Sequence, residues 1–580
     1  MRRSNEKCCA AISSEVSGRS GQSRNFRRVT KLNKWDPNIY RRVWISTLLL
    51  PVALAGCQRK NPSVDNGYPD GRQLLRRAIG GEPSSLDPGK AVDTYSFEVI
   101  RDLYEGLVTE SASGEVQPGV ASSWRVSPSG KEYTFELRAT ARWSNGSPIR
   151  AQDFVSEWRR VVDPKEASPV ADLLRPIANA AEIIDGKLPP DKLGAYATAE
   201  GRLVVNLTEP APYFLQLLCH SATFPVLLPK ESGQTGKDWV SNGPYVLLNW
   251  TPGASLRLEK NPQYWDHDHV KIPKIEYIPI ADANSEIARY RAGQLDVTDN
   301  VPPSALPLVK RDFPNELLVA HFLGTVYYAL NLHSSRPFGD LQVRQALAMS
   351  IDRIVLTNTV LNFGQTPAFG FVPPGTWNYD QQTWTWQSMS NENRIAEARR
   401  LYAAAGYSSM NPLRLKILFN ANPEVKKLSV AIASMWKEQL GIDAELVEEE
   451  YRVFLDSRRN TSRWNVARLS WVADYNDAGD FLDIFRRGSA NNDSGYSDTK
   501  FDSLLDEAAV TPDPSSRKIL LEKAEARMLS DYPVIPIYFY SSKRLIKPYI
   551  RGAEANPLNR LYSKHLSIDQ LQAASRDKQI

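Results

Sequence analysis

Leu413, Leu415, Ile417 and Phe419 recur at every second position, the period of a β-strand. Asn422-Pro-Glu then opens a run with Val425, Leu428, Ile432, Met435, Trp436 and Leu440 on one helical face, and Gly441 ends it. Ile442 to Glu449 reads as a second strand, so this strand–helix–strand unit predicts a parallel pair joined by a right-handed crossover. Immediately beyond it Val466, Arg468 and Ser470 alternate with Ala467, Leu469 and Trp471, a strand expected to end near Ala473. Asp477 is placed to cap a helix carrying Phe481, Leu482 and Phe485 inward. One carboxylate, Asp474, is left between aromatic residues at the carboxyl end of the strand, where open α/β sheets bind ligands.

The same periodicities recur elsewhere. Leu74 to Ile79 and Tyr133 to Leu137 read as strands, and Phe154, Val155, Trp158, Val161 and Val162 share a helical face behind the turn Trp143-Ser-Asn-Gly-Ser-Pro148. Asp340 caps a helix with Val343, Ala346, Leu347 and Ile351 inward, and Asp513-Pro514 starts another. Pro533 to Tyr540 is a strand interrupted by Pro536, which belongs at an edge or a bulge because proline cannot donate to a ladder.

Near the start, Arg41-Arg42 precede a short apolar run from Val43 to Gly56, too short to span a bilayer comfortably and of secretory-signal form. Leu54-Ala-Gly-Cys57 completes a bacterial lipoprotein box, with Cys57 as the acylated residue. Gln58 to Gly71 is a polar tether. The chain's net charge of +5 changes meaning once this region is set apart. Residues 1–56 hold eleven basic and three acidic residues, and the remaining 60 basic and 63 acidic residues leave a body near −3. That body lacks the basic surplus of a nucleic-acid binder, and none is expected as a partner. Cys219 is its one cysteine after Cys57, so no internal disulfide is expected.

Trp471-Val-Ala-Asp-Tyr-Asn-Asp resembles the Trp-x-Ala-Asp-Tyr segment of bacterial oligopeptide-binding proteins, the family 5 solute-binding lipoproteins of peptide ABC importers. Ser85-Leu-Asp-Pro, Glu105-Gly-Leu, the run from Trp143 to Asp163-Pro164, Pro210-Ala-Pro-Tyr-Phe214, Ser241-Asn-Gly-Pro-Tyr245, Lys260-Asn-Pro-Gln-Tyr-Trp265 and Pro337 to Arg353 resemble further family segments in order, from Ser85 to about Asn556. The resemblance implies an α/β fold of two-lobed periplasmic-binding-protein type, with a hinge crossed twice and an extra domain beside the first lobe. The expected division is 1–56 leader and signal peptide, 57–71 tether, 72–104, 229–328 and 549–580 lobe I, 105–228 extra domain, and 329–548 lobe II.

By the same resemblance the ligand is an oligopeptide delivered to ABC permease subunits with a separate ATPase. Asp474 would hold its α-ammonium, Trp471, Tyr475 and Tyr451 would form an aromatic wall, and Arg458 or Arg468 would meet its carboxylate. Family peptide binders often have Glu-Trp where this chain has Glu450-Tyr451, so specificity can differ. Other solutes remain open: a cell-wall peptide, a dipeptide or a nickel complex. A monomer, anchored through its N-terminal lipid on the periplasmic side of the cell envelope, is expected, with no cofactor and no metal. Asp266-His-Asp-His269 has metal-ligand residue types, but consecutive extended positions point to alternate faces. An envelope enzyme is the rival class; no Gly-x-Ser-x-Gly elbow or Walker loop supports it, and Ser497-Asp-Thr-Lys500 lacks a Lys-Thr-Gly companion.

Overall fold

The computed structural model describes residues 74–227, 238–333 and 337–569. The leader, the box ending in Cys57 and the tether lie outside the described residues.

Two large hydrophobic cores organise the described chain, beside a smaller cluster of Ala78, Ile280 to Val309 and Leu545. One gathers side chains from Leu75 to Val297 together with Ile546 to Leu566, and the other gathers Leu323 to Tyr538. In the first, Leu74–Ile79 lies parallel to Lys274–Pro279, which continues antiparallel into Ser255–Lys260 and Tyr245–Thr251. A second four-stranded sheet, Ala121–Val126, Glu132–Leu137, Leu203–Asn206 and Ala195–Ala197, shares this core. The helix Ala151–Val162 buries Phe154, Val155, Trp158, Val161 and Val162 in it, the face its spacing predicts.

The second core is built on a six-stranded sheet in the order Thr366–Pro367, Val534–Leu545, Leu317–Leu330, Val466–Val472, Arg414–Asn420 and Asp443–Glu449. The parallel pair is present: Arg414–Asn420 and Asp443–Glu449 are joined through the helix Pro423–Leu440. Asn422 caps that helix by accepting the Glu424 and Val425 N–H groups, and Gly441 closes it at φ 74°, a left-handed conformation that glycine adopts without a Cβ clash. Val466–Val472 lies parallel to Arg414–Asn420 on one side and antiparallel to Leu317–Leu330 on the other.

Leu317–Leu330 and Val534–Leu545 connect the lobes. They pair antiparallel from Leu317 opposite Leu545 to Ala329 opposite Val534. Leu318 packs on the first core while Leu323 belongs to the second, and Tyr538 belongs to the second while Ile546 belongs to the first. The chain therefore crosses twice between two α/β lobes. The ladder shifts register between His321 and Thr325 and again at Tyr327, which faces Pro536. Pro536 thus occupies a bulge. Thr366–Pro367 pairs with the other side of this strand only at Tyr538 and Phe539, so at Pro536 no strand among the described residues pairs on that side, and the edge placement holds as well.

Candidate ligand-binding site

Asp474 lies two residues beyond the strand Val466–Val472 and one residue before Tyr475. The Ala473 N–H donates to the Leu323 carbonyl, which pins the chain to the central strand until just before Asp474. Trp471 packs against the second core and the Tyr475 side chain against the first, so Asp474 stands where the two cores meet. Asp477 then accepts the Gly479 N–H and caps Ala478–Leu482, and Arg517 grips the same carboxylate through two hydrogen bonds of 2.6 and 2.8 Å.

A cavity of about 760 Å³ opens at this junction. Trp471, Asp474, Tyr475, Asp480 and Asp483 line one side; Phe97, Val170, Leu173, Tyr213, Leu217 and His220 line the other. The Asp474 side chain is exposed to water inside the cavity, yet the walls remove enough bulk solvent to raise its pKa. The Arg560 guanidinium offsets part of that effect. Among the described residues the Asp474 carboxylate has neither a hydrogen bond nor an ion pair. Asp480 is buried, and its Oδ2 accepts the Trp471 Nε1–H at 2.9 Å and the Asp474 N–H at 3.3 Å. Burial, followed by the charge of Asp474, lifts the Asp480 pKa well above the usual carboxylate range. Burial also holds His220 down at about 3, so it is neutral at physiological pH.

The structure brings Asp474, Trp471 and Tyr475 together in this cavity and leaves the other three expected residues outside its lining. Tyr451 begins the helix Tyr451–Ser457 and is 57% exposed. Arg458 ends that helix and pairs with Asp493 at 3.5 Å. Arg468, in the middle of its strand opposite Tyr328, donates to the Tyr540 hydroxyl at 3.4 Å; its Nε is buried without a hydrogen-bond partner. No carboxylate among the described residues forms an ion pair with it.

Sequence reading missed Asp480, Tyr213 and His220. Tyr213 lies within the Pro210-Ala-Pro-Tyr-Phe214 segment and Asp480 three residues beyond the Asp477 cap, and nothing local marks either as a wall of the cavity. The Asp266 to His269 segment forms a short 3-10 turn in which the His267 Nδ1 meets the Asn261 carbonyl and the His269 Nδ1 meets Asp266. No group of three or more His, Cys, Asp or Glu side chains suited to a metal occurs among the described residues. Among them, no helix is long and apolar enough to cross a membrane.

Two α/β lobes joined by a double crossing, with a polar cavity walled by both cores, form the architecture of a solute-binding receptor. The chain belongs to the bacterial extracellular solute-binding proteins, family 5, whose middle region matches residues 115–493. It is 38% identical over 508 residues to the periplasmic oligopeptide-binding protein OppA of Salmonella typhimurium, covering 86% of this chain and 93% of that relative. Among solved structures it is similar to the periplasmic murein tripeptide-binding protein MppA in its unliganded open form, with a TM-score of 0.79, 37% identity and coverage of 86% and 98%. It is also similar to Haemophilus influenzae OppA in complex with RPPGFSPFR, with a TM-score of 0.69, 37% identity and coverage of 86% and 99%.

Proposed function

We propose that this protein is an extracytoplasmic receptor that binds oligopeptides reversibly, without altering them, and delivers them to an ABC permease driven by a separate ATPase. The observation that carries this reading is Asp474: a carboxylate without a partner, on the wall of a cavity between two lobes. A peptide α-ammonium supplies the missing charge. Removing an ammonium from water costs several kcal/mol unless it is paired, so a closed cleft needs a carboxylate at that point. The peptide-binding relatives and the likeness to an unliganded open form support a cleft that closes by hinge motion on the two crossing strands.

Arg468 is the better candidate for the other end of the ligand. Its charge lacks a carboxylate and its Nε lacks a partner, whereas Arg458 already holds Asp493. Arg468 lies six positions before Asp474, at most of the order of 20 Å along an extended chain, which leaves room for a short oligopeptide with its ends fixed and its middle free. The two cores support two lobes, with the change of lobe between Leu318 and Leu323 and between Tyr538 and Ile546, a few residues before the expected boundaries at 328 and 548, and the expected extra domain, 105–228, contributes to the first core.

Lipidation at Cys57 would hold the mature protein to the membrane on the periplasmic side, and the box behind the apolar run supports it. A Cys57→Ser variant that is still processed and still partitions into detergent would remove the anchor. For the receptor itself, native mass spectrometry of protein purified from its own host should show co-purifying peptides. A co-purifying solute without a free amine, or hydrolysis of an added peptide, would overturn the reading.

A further inference from the structure

Four carboxylates follow one another at intervals of three residues: Asp474, Asp477, Asp480 and Asp483. Two of them are neutralised by the protein. Asp477 holds Arg517 through two hydrogen bonds, and Asp483 accepts from Arg486 Nε at 2.6 Å. Asp474 and Asp480 hold no cation among the described residues, and they are the two tied to one another, through the Asp474 N–H on Asp480 Oδ2. Both line the same cavity, and the Trp471 indole that walls it donates to the same Asp480 oxygen.

From this contrast we propose that Asp480 is a positioning residue that acts through Asp474: the two carboxylates hold one proton between them while the cleft is empty, and binding of a peptide α-ammonium expels it. The inference rests on Asp474 as the ammonium site. Two like charges on the wall of one cavity, with the backbone of the first bonded to the carboxylate of the second, do not both ionise readily, so the pair titrates as a unit. An arriving ammonium supplies the charge that lets both ionise. The exchange balances: a singly protonated pair and R–NH3+ give a doubly ionised pair bound to R–NH3+ and one proton released to water. No bond other than O–H is broken.

The surrounding groups leave this exchange to the pair. Arg517 and Arg486 are engaged by Asp477 and Asp483, and Arg560, the basic group whose charge reaches Asp474, is bonded to Glu110 at 2.7 Å. Across the cavity Asp172 and Arg175 pair with each other at 2.7 Å, and His220 titrates at about 3, too low to release a proton between pH 5 and 8. The Tyr475 phenol is pushed up by burial and stays protonated.

The test is titration calorimetry of the protein with tri-alanine from pH 5 to 8, each pH run in two buffers of different ionisation enthalpy, so that the heat difference counts protons. The parent should release up to one proton per peptide over part of this range, with affinity rising by up to tenfold per pH unit there. Asp480→Asn keeps an acceptor for Trp471 and Asp474 N–H but carries no charge, and Asp480→Ser is a second variant should the first misfold. In either folded variant, proton release should vanish and affinity should become flat with pH. Tri-alanine binding with no proton release in the parent, or with equal release in parent and variants, would overturn the proposal while leaving the Asp474 contact standing. Absence of tri-alanine binding in the parent at every pH would overturn both.

Discussion

Tyr213 and Tyr475 stack with ring centroids 4.8 Å apart and planes inclined by 15°, joining a residue of the first lobe's surroundings to the residue that follows Asp474. The Arg517 guanidinium lies 5.6 Å from the Tyr213 ring centre and is itself fixed by Asp477. The stack therefore sets one wall of the cavity against the other beside the carboxylate. Aromatic pairs contribute about 0.5–1.5 kcal/mol beyond the area they bury, so Tyr213→Ala should weaken peptide binding by roughly threefold to tenfold. Tyr213→Phe should bind as the parent does. Calorimetry on the two variants checks this, and equal loss in both would assign the effect to the hydroxyl.

The Asp477 and Arg517 pair is almost fully buried, with side-chain exposures of 1% and 6%. Breaking such a pair on one side leaves a buried charge and typically costs about 3–5 kcal/mol. Arg517→Ala should therefore lower the unfolding midpoint sharply and loosen the cap of Ala478–Leu482. Denaturant unfolding of parent and variant measures it.

Lys543 is buried in the crossing strand Val534–Leu545. Its Nζ donates to the Ser541 carbonyl at 2.8 Å and hydroxyl at 2.6 Å, and sits 3.8 Å from the Phe363 ring centre. Burial, with repulsion from Lys310, brings its pKa down to about 7. The unfolded chain keeps an ordinary lysine near 10.5, so between pH 7 and 10.5 it binds more protons than the folded one. This group's contribution to stability consequently rises with pH through that window, by up to about 1.4 kcal/mol per unit. Lys543→Met should gain most over the parent at pH 7 and least near pH 10. A gain that does not change with pH would contradict this.

If Arg468 receives the carboxylate end of the ligand, converting a bound peptide to its C-terminal amide should weaken the parent by at least tenfold and leave Arg468→Ala unaffected. Charge-assisted bonds to arginine are the stronger kind, about 1.5–3 kcal/mol each. Equal binding of acid and amide by the parent would remove Arg468 from the site.

Local signals carried far along this chain. The alternation from Leu413 to Phe419, the Asn422 cap and the left-handed Gly441 together specify a strand and helix that form as expected, because each depends on neighbours in sequence. Asp474 at a strand end was legible for the same reason. The long crossing strand was legible only to Tyr540, and beyond it Ser541, Ser542, Lys543 and Arg544 break the apolar run. Lys543 and Arg544 are buried because other segments cover them: Arg544 meets Glu98, distant by 446 positions. The far wall of the cavity was illegible in the same way, for Tyr213 and His220 reach Asp474 only through the tertiary fold. Tyr451 shows the converse, an aromatic whose motif position suggested a wall and whose place at the start of a helix leaves it in solvent.

The central claim is that the Asp474 carboxylate pairs with the α-ammonium of a peptide, and the direct test is calorimetry of one peptide with a free and with an acetylated amino terminus, against the parent and Asp474→Asn. Losing one partner of an enclosed pair costs about 3–5 kcal/mol, or two to four decades of affinity. The parent should therefore bind the free peptide tightly and the acetylated one at least a hundredfold more weakly, and Asp474→Asn, with its unfolding midpoint retained, should lose that discrimination. Equal binding of both peptides by the parent would contradict the account and make Asp474 a turn residue.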